Sequence, residues 1–167
     1  MTAPWPMAEL DAIARLRALA AGLPGVVLEE RVIDAPFDEV WGFVADLETS
    51  VPAFDDTVSR VRVVRAEGER LRIHSWARGV PVPLPFDVTL RPGWAWMVAS
   101  PQVYVVGMAA VPTGNRTRFG HLEGPLRGGP PVRRLGRGPL RRHVRGDLDG
   151  IERSLAARRR RDGTGPG

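Results

Sequence analysis

The chain has no cysteine among its 167 residues. Disulfide staples, zinc-thiolate sites, iron–sulfur clusters and thiol nucleophiles are therefore excluded. Lysine is absent too, and all 24 basic residues are arginine. No apolar run approaches the roughly 20 residues that a bilayer-spanning helix needs. The N-terminus also lacks a basic stretch followed by an unbroken apolar one. The expectation from these absences is a cytoplasmic protein.

Two further absences concern chemistry. No glycine-rich phosphate loop follows a predicted strand, so a nucleotide is unsupported. The three histidines, His74, His121 and His143, fall on separate predicted elements. There is no His-x-x-x-His pair and no acid cluster at ligand spacing. No metal and no cofactor is expected.

What is present suits one globular domain, with 43% apolar residues and a length too short for two full cores. The isoelectric point of about 11.2 overstates the case for a polyanion partner, because arginine raises it more than lysine would. The charge is also segregated. From Leu126 to Gly167 there are 12 arginines against 4 acids, whereas the first 125 residues carry 12 against 15. The basic character belongs to one segment.

Leu10, Ile13, Leu16 and Leu19, spaced by threes, predict a short amphipathic helix from Met7 to Ala21, ended by Leu23-Pro24-Gly25. It could dock on the domain's own surface or on a partner. A strand follows from Val26 to Ile33. Pro36 then suits a first helical position with Asp34 or Ala35 as cap, and Asp38 and Glu39 suit the positive end of the helix dipole. Phe37, Val40, Trp41, Val44 and Leu47 draw one apolar stripe, and a short turn from Ser50 to Phe54 completes a helical pair.

Six β-prone runs come next: Val58 to Arg65, Leu71 to Arg78, Phe86 to Arg91, Trp94 to Ser100, Val103 to Val111 and Thr117 to Glu123. Turn signals rich in glycine and proline separate them, so successive strands should be antiparallel neighbours. The last element is a helix from about Pro139 to Arg160. Its Leu140, Val144, Leu148, Ile151 and Leu155 share one narrow face, with Arg141, Arg142, Arg145, Asp149 and Glu152 opposite. About seven antiparallel strands, two short helices between the first two of them and one long closing helix make an α+β layer architecture.

The stretch from Glu30 to Asp46, with its extended strand, Ala35-Pro36, the acidic pair Asp38-Glu39 and Val40-Trp41, resembles the opening of the SRPBCC or START-like superfamily. Pro92-Gly93, the turn from Gly114 to Arg118 and the closing amphipathic helix agree with it in order. The resemblance covers about residues 26 to 158. It implies a helix-grip fold, a sheet wrapped around a long C-terminal helix. On this reading residues 1–25 are an N-terminal helical extension, 26–160 the ligand-binding domain and 161–167 a disordered tail. The superfamily includes polyketide cyclases, lipid-transfer domains and birch-pollen-allergen-like proteins, so the resemblance implies a container for a hydrophobic small molecule and leaves carrier or cyclase open. No catalytic signature carries over residue by residue.

A concave sheet gripping a helix encloses space for side chains or for a ligand. Trp41, Phe54, Trp94, Trp96, Tyr104, Met108, Phe119, Val144 and Leu148 are the candidate lining residues. They suit a flat aromatic, polyketide-like or lipid ligand. Strand alternation sends Phe119 inward and carries His121 and Glu123 with it, whereas His74 falls on the face opposite Leu71 and Ile73. An inward histidine two residues from an inward glutamate could move protons for cyclisation or dehydration. The bland alternative is a satisfied histidine at the rim. Gly146 and Gly150 in the closing helix each cost roughly 1 kcal/mol against alanine, and make room for a ligand or reflect a glycine-rich composition. An alternative function uses Arg127, Arg133, Arg134, Arg137, Arg141, Arg142 and Arg145 as an interaction surface for anionic membrane or RNA. Aromatic residues do not interleave that segment, which counts against nucleic acid.

Overall fold

The computed structural model describes residues 9–162, without the side chains of residues 130–135. Its elements run α1 (Ala12–Gly22), β1 (Val27–Ile33), α2 (Phe37–Val44), α3 (Leu47–Phe54), β2 (Val58–Glu67), β3 (Arg70–Ala77), β4 (Leu84–Arg91), β5 (Trp94–Ala99), β6 (Tyr104–Thr113), β7 (Arg116–Pro125) and α4 (Pro130–Asp162). Strands β2 to β7 form an antiparallel meander, and β1 closes against β7, giving the order β1-β7-β6-β5-β4-β3-β2. The pair α2–α3 carries the chain from one edge strand to the other. Helix α4 lies along the concave face, as the order of elements predicts.

The sheet carries apolar packing on its concave face and, around β5, β6 and β7, on its outer face as well. The concave face packs Ile33, Val61, Ile73, Phe86, Val88, Met97, Met108 and Phe119 against α2, α3 and α4, whose Val40, Val44, Leu148, Ile151 and Leu155 are buried. The outer face of β5, β6 and β7 carries a second core, in which Trp94, Val105, Ala109 and Leu122 receive Ile13 and Leu16 of α1. The N-terminal helix therefore docks on its own sheet. Gly107 makes this seat possible, since a Cβ there would meet Leu16 Cδ1 at 2.9 Å and the Trp96 ring at 3.0 Å.

Polar contacts fix α1 at its start and at its middle. Arg17 makes a bidentate pair with Glu30 of β1 at 2.5 and 2.6 Å, and Arg118 of β7 meets Asp11 at 2.9 Å. Asp11 is also the helix cap, accepting the Ala14 N–H at 2.7 Å. That cap explains why the helix begins at Ala12 and not upstream; Met7 and Ala8 lie outside the described residues. Asp11→Ala is expected to cost about 1 kcal/mol in urea denaturation. Asp11→Asn, which keeps the capping oxygen, should restore most of it; equal losses would show that the Arg118 pair matters more than the cap. The Ala14 N–H bond, above all, holds the Asp11 carboxyl below its usual 3.8. A lowered carboxyl pKa stabilises above that value, and the contribution is lost as the pH falls below it.

Two boundaries differ from expectation. Pro36 is the N-cap of α2 and not its first residue, so the helix begins one position later than predicted, with the Pro36 carbonyl accepting the Val40 N–H at 3.1 Å. Helix α4 starts nine residues before Pro139, which sits inside it. The Gly-Pro dipeptide at 138–139 reads as a stop in sequence. In the fold residues 136–139 are exposed, so the backbone carbonyl that loses its partner at Pro139 can be met by water. The helix also runs through Arg161 to Asp162, into the predicted tail, of which residues 163–167 lie outside the described ones.

Candidate functional site

A cavity of about 310 Å³ opens between the concave face, α3 and the His143 turn of α4. Its walls are apolar: Val51 and Phe54 from α3, Val58 and Val61 from β2, Ile73 from β3, Leu84 and Phe86 from β4, Met97 from β5 and Val106 from β6. Thr57, Ala77 and Leu84 are exposed or nearly so and mark the mouth. One end of the cavity is polar. Tyr104 of β6, His121 and Glu123 of β7, Asp55 at the end of α3 and His143 of α4 converge there.

Strand alternation places Tyr104, Val106 and Met108 on the inner face of β6, and Phe119, His121 and Glu123 on the inner face of β7, where Met108 pairs with His121 and Val106 with Glu123. His121 is 1% exposed and its Nε2 lies 3.1 Å from Asp147 Oδ2. His143 Nε2 lies 3.2 Å from Glu123 Oε2, 3.5 Å from Asp147 Oδ2 and 3.9 Å from Asp55 Oδ2. Asp55 is held by Thr57, whose backbone N–H and hydroxyl donate to Oδ1 at 2.8 and 2.6 Å.

The charges shape one another. The Glu123 carboxylate raises the His143 pKa to about 9 against an opposing burial effect. Burial works against charge on His121, but the Asp147 bond and the carboxylates of Glu123 and Asp55 prevail and raise its pKa. Burial foremost raises Asp147. Burial, followed by the neighbouring Glu123 charge, raises the Tyr104 phenol. A polar molecule entering the cavity meets hydrogen-bonding and charged groups mainly at this end.

The predicted lining residues divide into three groups. Phe54, Tyr104, His121 and Glu123 border the cavity. Trp41, Met108, Phe119, Val144 and Leu148 are buried in the interior without bordering it. Trp94 and Trp96 do not approach it: they stack on each other at 6.1 Å on the outer face, beneath α1. Large aromatics signal burial, and here α1 buries the outer face as well, so burial alone could not assign the side. Gly150 does not make room for a ligand. It lets α3 approach, since a Cβ there would lie 2.4 Å from the Phe54 carbonyl oxygen.

Sequence reasoning missed Asp55 and Asp147, and it found no acid cluster at ligand spacing. The signal was present in α4, where Asp147 interrupts the apolar stripe one position before Leu148 and stands four residues after His143. Asp55 had no such signal; only the fold brings the end of α3 to β7. Of the predicted basic surface, Arg141 and Arg145 both bind Glu29 of β1, at 2.8 and 3.0 Å. Arg137 and Arg142 are exposed, as is Arg127 two residues beyond the end of β7. The side chains of Arg133 and Arg134 lie outside the described ones.

No protein-family model and no curated protein matches the chain. Solved structures do match it. A protein from Thermus thermophilus is 22% identical with a TM-score of 0.64, over 79% of this chain and 97% of that one. The ZhuI aromatase/cyclase from a Streptomyces species is 15% identical with a TM-score of 0.61, over 80% and 94%. The STAR-related lipid transfer protein from Xanthomonas axonopodis is 14% identical with a TM-score of 0.62, over 81% and 88%. The chain has the START-like helix-grip fold. About a fifth of the chain falls outside the length matched by these structures. Among its described residues no helix is long and apolar enough to cross a membrane.

Proposed function

We propose that the START-like domain binds one hydrophobic small molecule, with an aromatic or lipid-like body and a polar group at one end. The cavity carries this reading: its volume of about 310 Å³ falls at the lower end of the roughly 300–1,000 Å³ typical of ligand pockets, and its charged groups gather at one end of apolar walls. The aromatase/cyclase and the lipid transfer protein that share the fold support a container function. A carbonyl or hydroxyl of the ligand would lie beside Tyr104, His121, Glu123 and His143, and its apolar body against Val61, Ile73, Phe86 and Met97.

Native mass spectrometry of the purified protein, paired with a denaturing organic extract, tests this. A co-purifying hydrophobic compound, or saturable one-to-one binding of a hydroxylated anthraquinone or a long-chain fatty acid, is expected. An empty protein that binds neither probe would overturn it.

The convergence of two histidines with carboxylates favours a second reading, in which His121 and Glu123 assist cyclisation or dehydration of a carbonyl ligand by moving protons. Unchanged turnover of a cyclising substrate after His121→Gln and Glu123→Gln would sink it. The interaction reading has less support, because Arg141 and Arg145 are engaged by Glu29.

A further inference from the structure

The polar end of the cavity gathers more carboxylates around His143 than its one Nε2–H can satisfy. His143 Nε2 has three carboxylate oxygens within 3.9 Å, from Glu123, Asp147 and Asp55, and a ring nitrogen carries at most one proton. Glu123 Oε2 lies 3.2 Å from it, close enough for charge attraction, yet it receives no aligned hydrogen bond although its side chain is 7% exposed. A buried carboxylate oxygen without a donor is costly. A metal ion replacing the proton on His143 would reach all three carboxylates at once, which one N–H cannot.

We propose that His143 Nε2 and one carboxylate oxygen each of Asp55, Glu123 and Asp147 form a binding site for a single divalent first-row metal ion. The four ligand atoms all lie within 4.8 Å of one another. Around a tetrahedral ion with bonds of about 2.1 Å, ligand atoms stand roughly 3.4 Å apart. The three separations from His143 Nε2, at 3.2, 3.5 and 3.9 Å, straddle that value. A small closure of the side chains completes the coordination.

The surroundings are those of a built site. Outer partners orient metal ligands and are nearly as important as the ligands themselves. Thr57 holds Asp55 Oδ1 and leaves Oδ2 turned inward. His121 holds Asp147, and the Tyr104 phenol lies beside Glu123. His143 and Asp147 stand on successive turns of α4, while Asp55 and Glu123 come from the end of α3 and from β7, so three separate elements fix the geometry. One imidazole and three carboxylates suit Zn²⁺, Fe²⁺, Co²⁺ or Mn²⁺, and with no sulfur ligand they do not suit Cu⁺. The sequence showed no such cluster because Asp55 and Glu123 reach His143 and Asp147 only through the fold.

The site deepens the proposed function in one respect, which rests on that reading. Asp55, Glu123 and His143 border the cavity, so an open coordination position would face a bound ligand and polarise its carbonyl or hydroxyl oxygen as a Lewis acid.

The test uses the full-length protein after chelator treatment, titrated with Zn²⁺ by calorimetry and with Co²⁺ by visible absorption. One equivalent of Zn²⁺ should bind, and Co²⁺ should give the intense visible bands of a low-coordinate nitrogen–oxygen site. Asp55→Asn and Glu123→Gln should each weaken binding by about ten-fold or more, and His143→Ala should abolish the Co²⁺ bands. His74→Ala, outside the site, should change nothing. Absence of stoichiometric binding to the wild type, or His143→Ala and Asp55→Asn binding as the wild type does, would overturn the proposal. Circular dichroism of each variant shows that a loss is local. Binding of the anthraquinone to the chelated protein separates the two readings: retained ligand with no metal refutes only the ion site, and bound metal with no ligand refutes only the container.

Discussion

Replacing Gly150 with alanine is expected to destabilise the domain by about 1–3 kcal/mol, although glycine-to-alanine in a helix ordinarily stabilises. The added Cβ would lie 2.4 Å from the Phe54 carbonyl oxygen, 2.8 Å from its Cα and 3.0 Å from its carbonyl carbon. Backbone cannot swing aside as a side-chain tip can, so α3 would have to lift away from α4. Gly146, one turn earlier, is the internal control. A Cβ there meets nothing within 4 Å, and Gly146→Ala should stabilise by about 0.5–1 kcal/mol through the lost freedom of the unfolded chain. Urea denaturation of both variants decides; a Gly150→Ala protein as stable as the wild type would show that the helices are not in backbone contact. Because Asp55 is the C-terminal cap of α3, the displacement should also weaken whatever the polar end of the cavity binds.

Ser75→Trp and Phe119→Ala are expected to separate wall from core. Ser75 lines the cavity from β3 and is half-buried, so a tryptophan there fills ligand space without disturbing the packed interior. Ligand affinity should fall by about 100-fold or more while stability stays within about 1 kcal/mol. Phe119 is fully buried in the main core and does not border the cavity. Its truncation should cost about 3–5 kcal/mol and leave ligand affinity in the surviving folded protein largely intact. The reverse pattern, with Phe119→Ala losing ligand at unchanged stability, would mean that the cavity extends along β7 beyond His121.

Much of the architecture was legible in the chain because each element writes its own period. The step-of-two alternation in β7 correctly turned Phe119, His121 and Glu123 inward, and the three-four spacing of Val144, Leu148, Ile151 and Leu155 correctly identified the buried face of α4. Where two faces of one element compete, the period is silent. Trp94 and Trp96 show this: on a sheet covered on both sides either face is apolar, and only the docking of α1 says which one holds them.

The site was legible in part for a related reason. His121, Glu123, Phe54 and Tyr104 could be proposed from local pattern and residue type. Asp147 was visible as a polar break in an apolar stripe. Asp55 was not visible at all, since its approach to His143, far downstream in the chain, depends on how α3 crosses α4.

The amino-acid sequence by itself determined the order of elements, the inward face of β7 and the apolar face of the closing helix. These follow from short-range periodicities that any amphipathic segment must keep in order to bury one side. Tertiary structure alone decided that Asp55, Glu123, His143 and Asp147 share one space and that Gly150 serves the approach of α3. Side chains from distant elements meet only where the close approach of their backbones permits it, and that distance is written in no single segment of the chain.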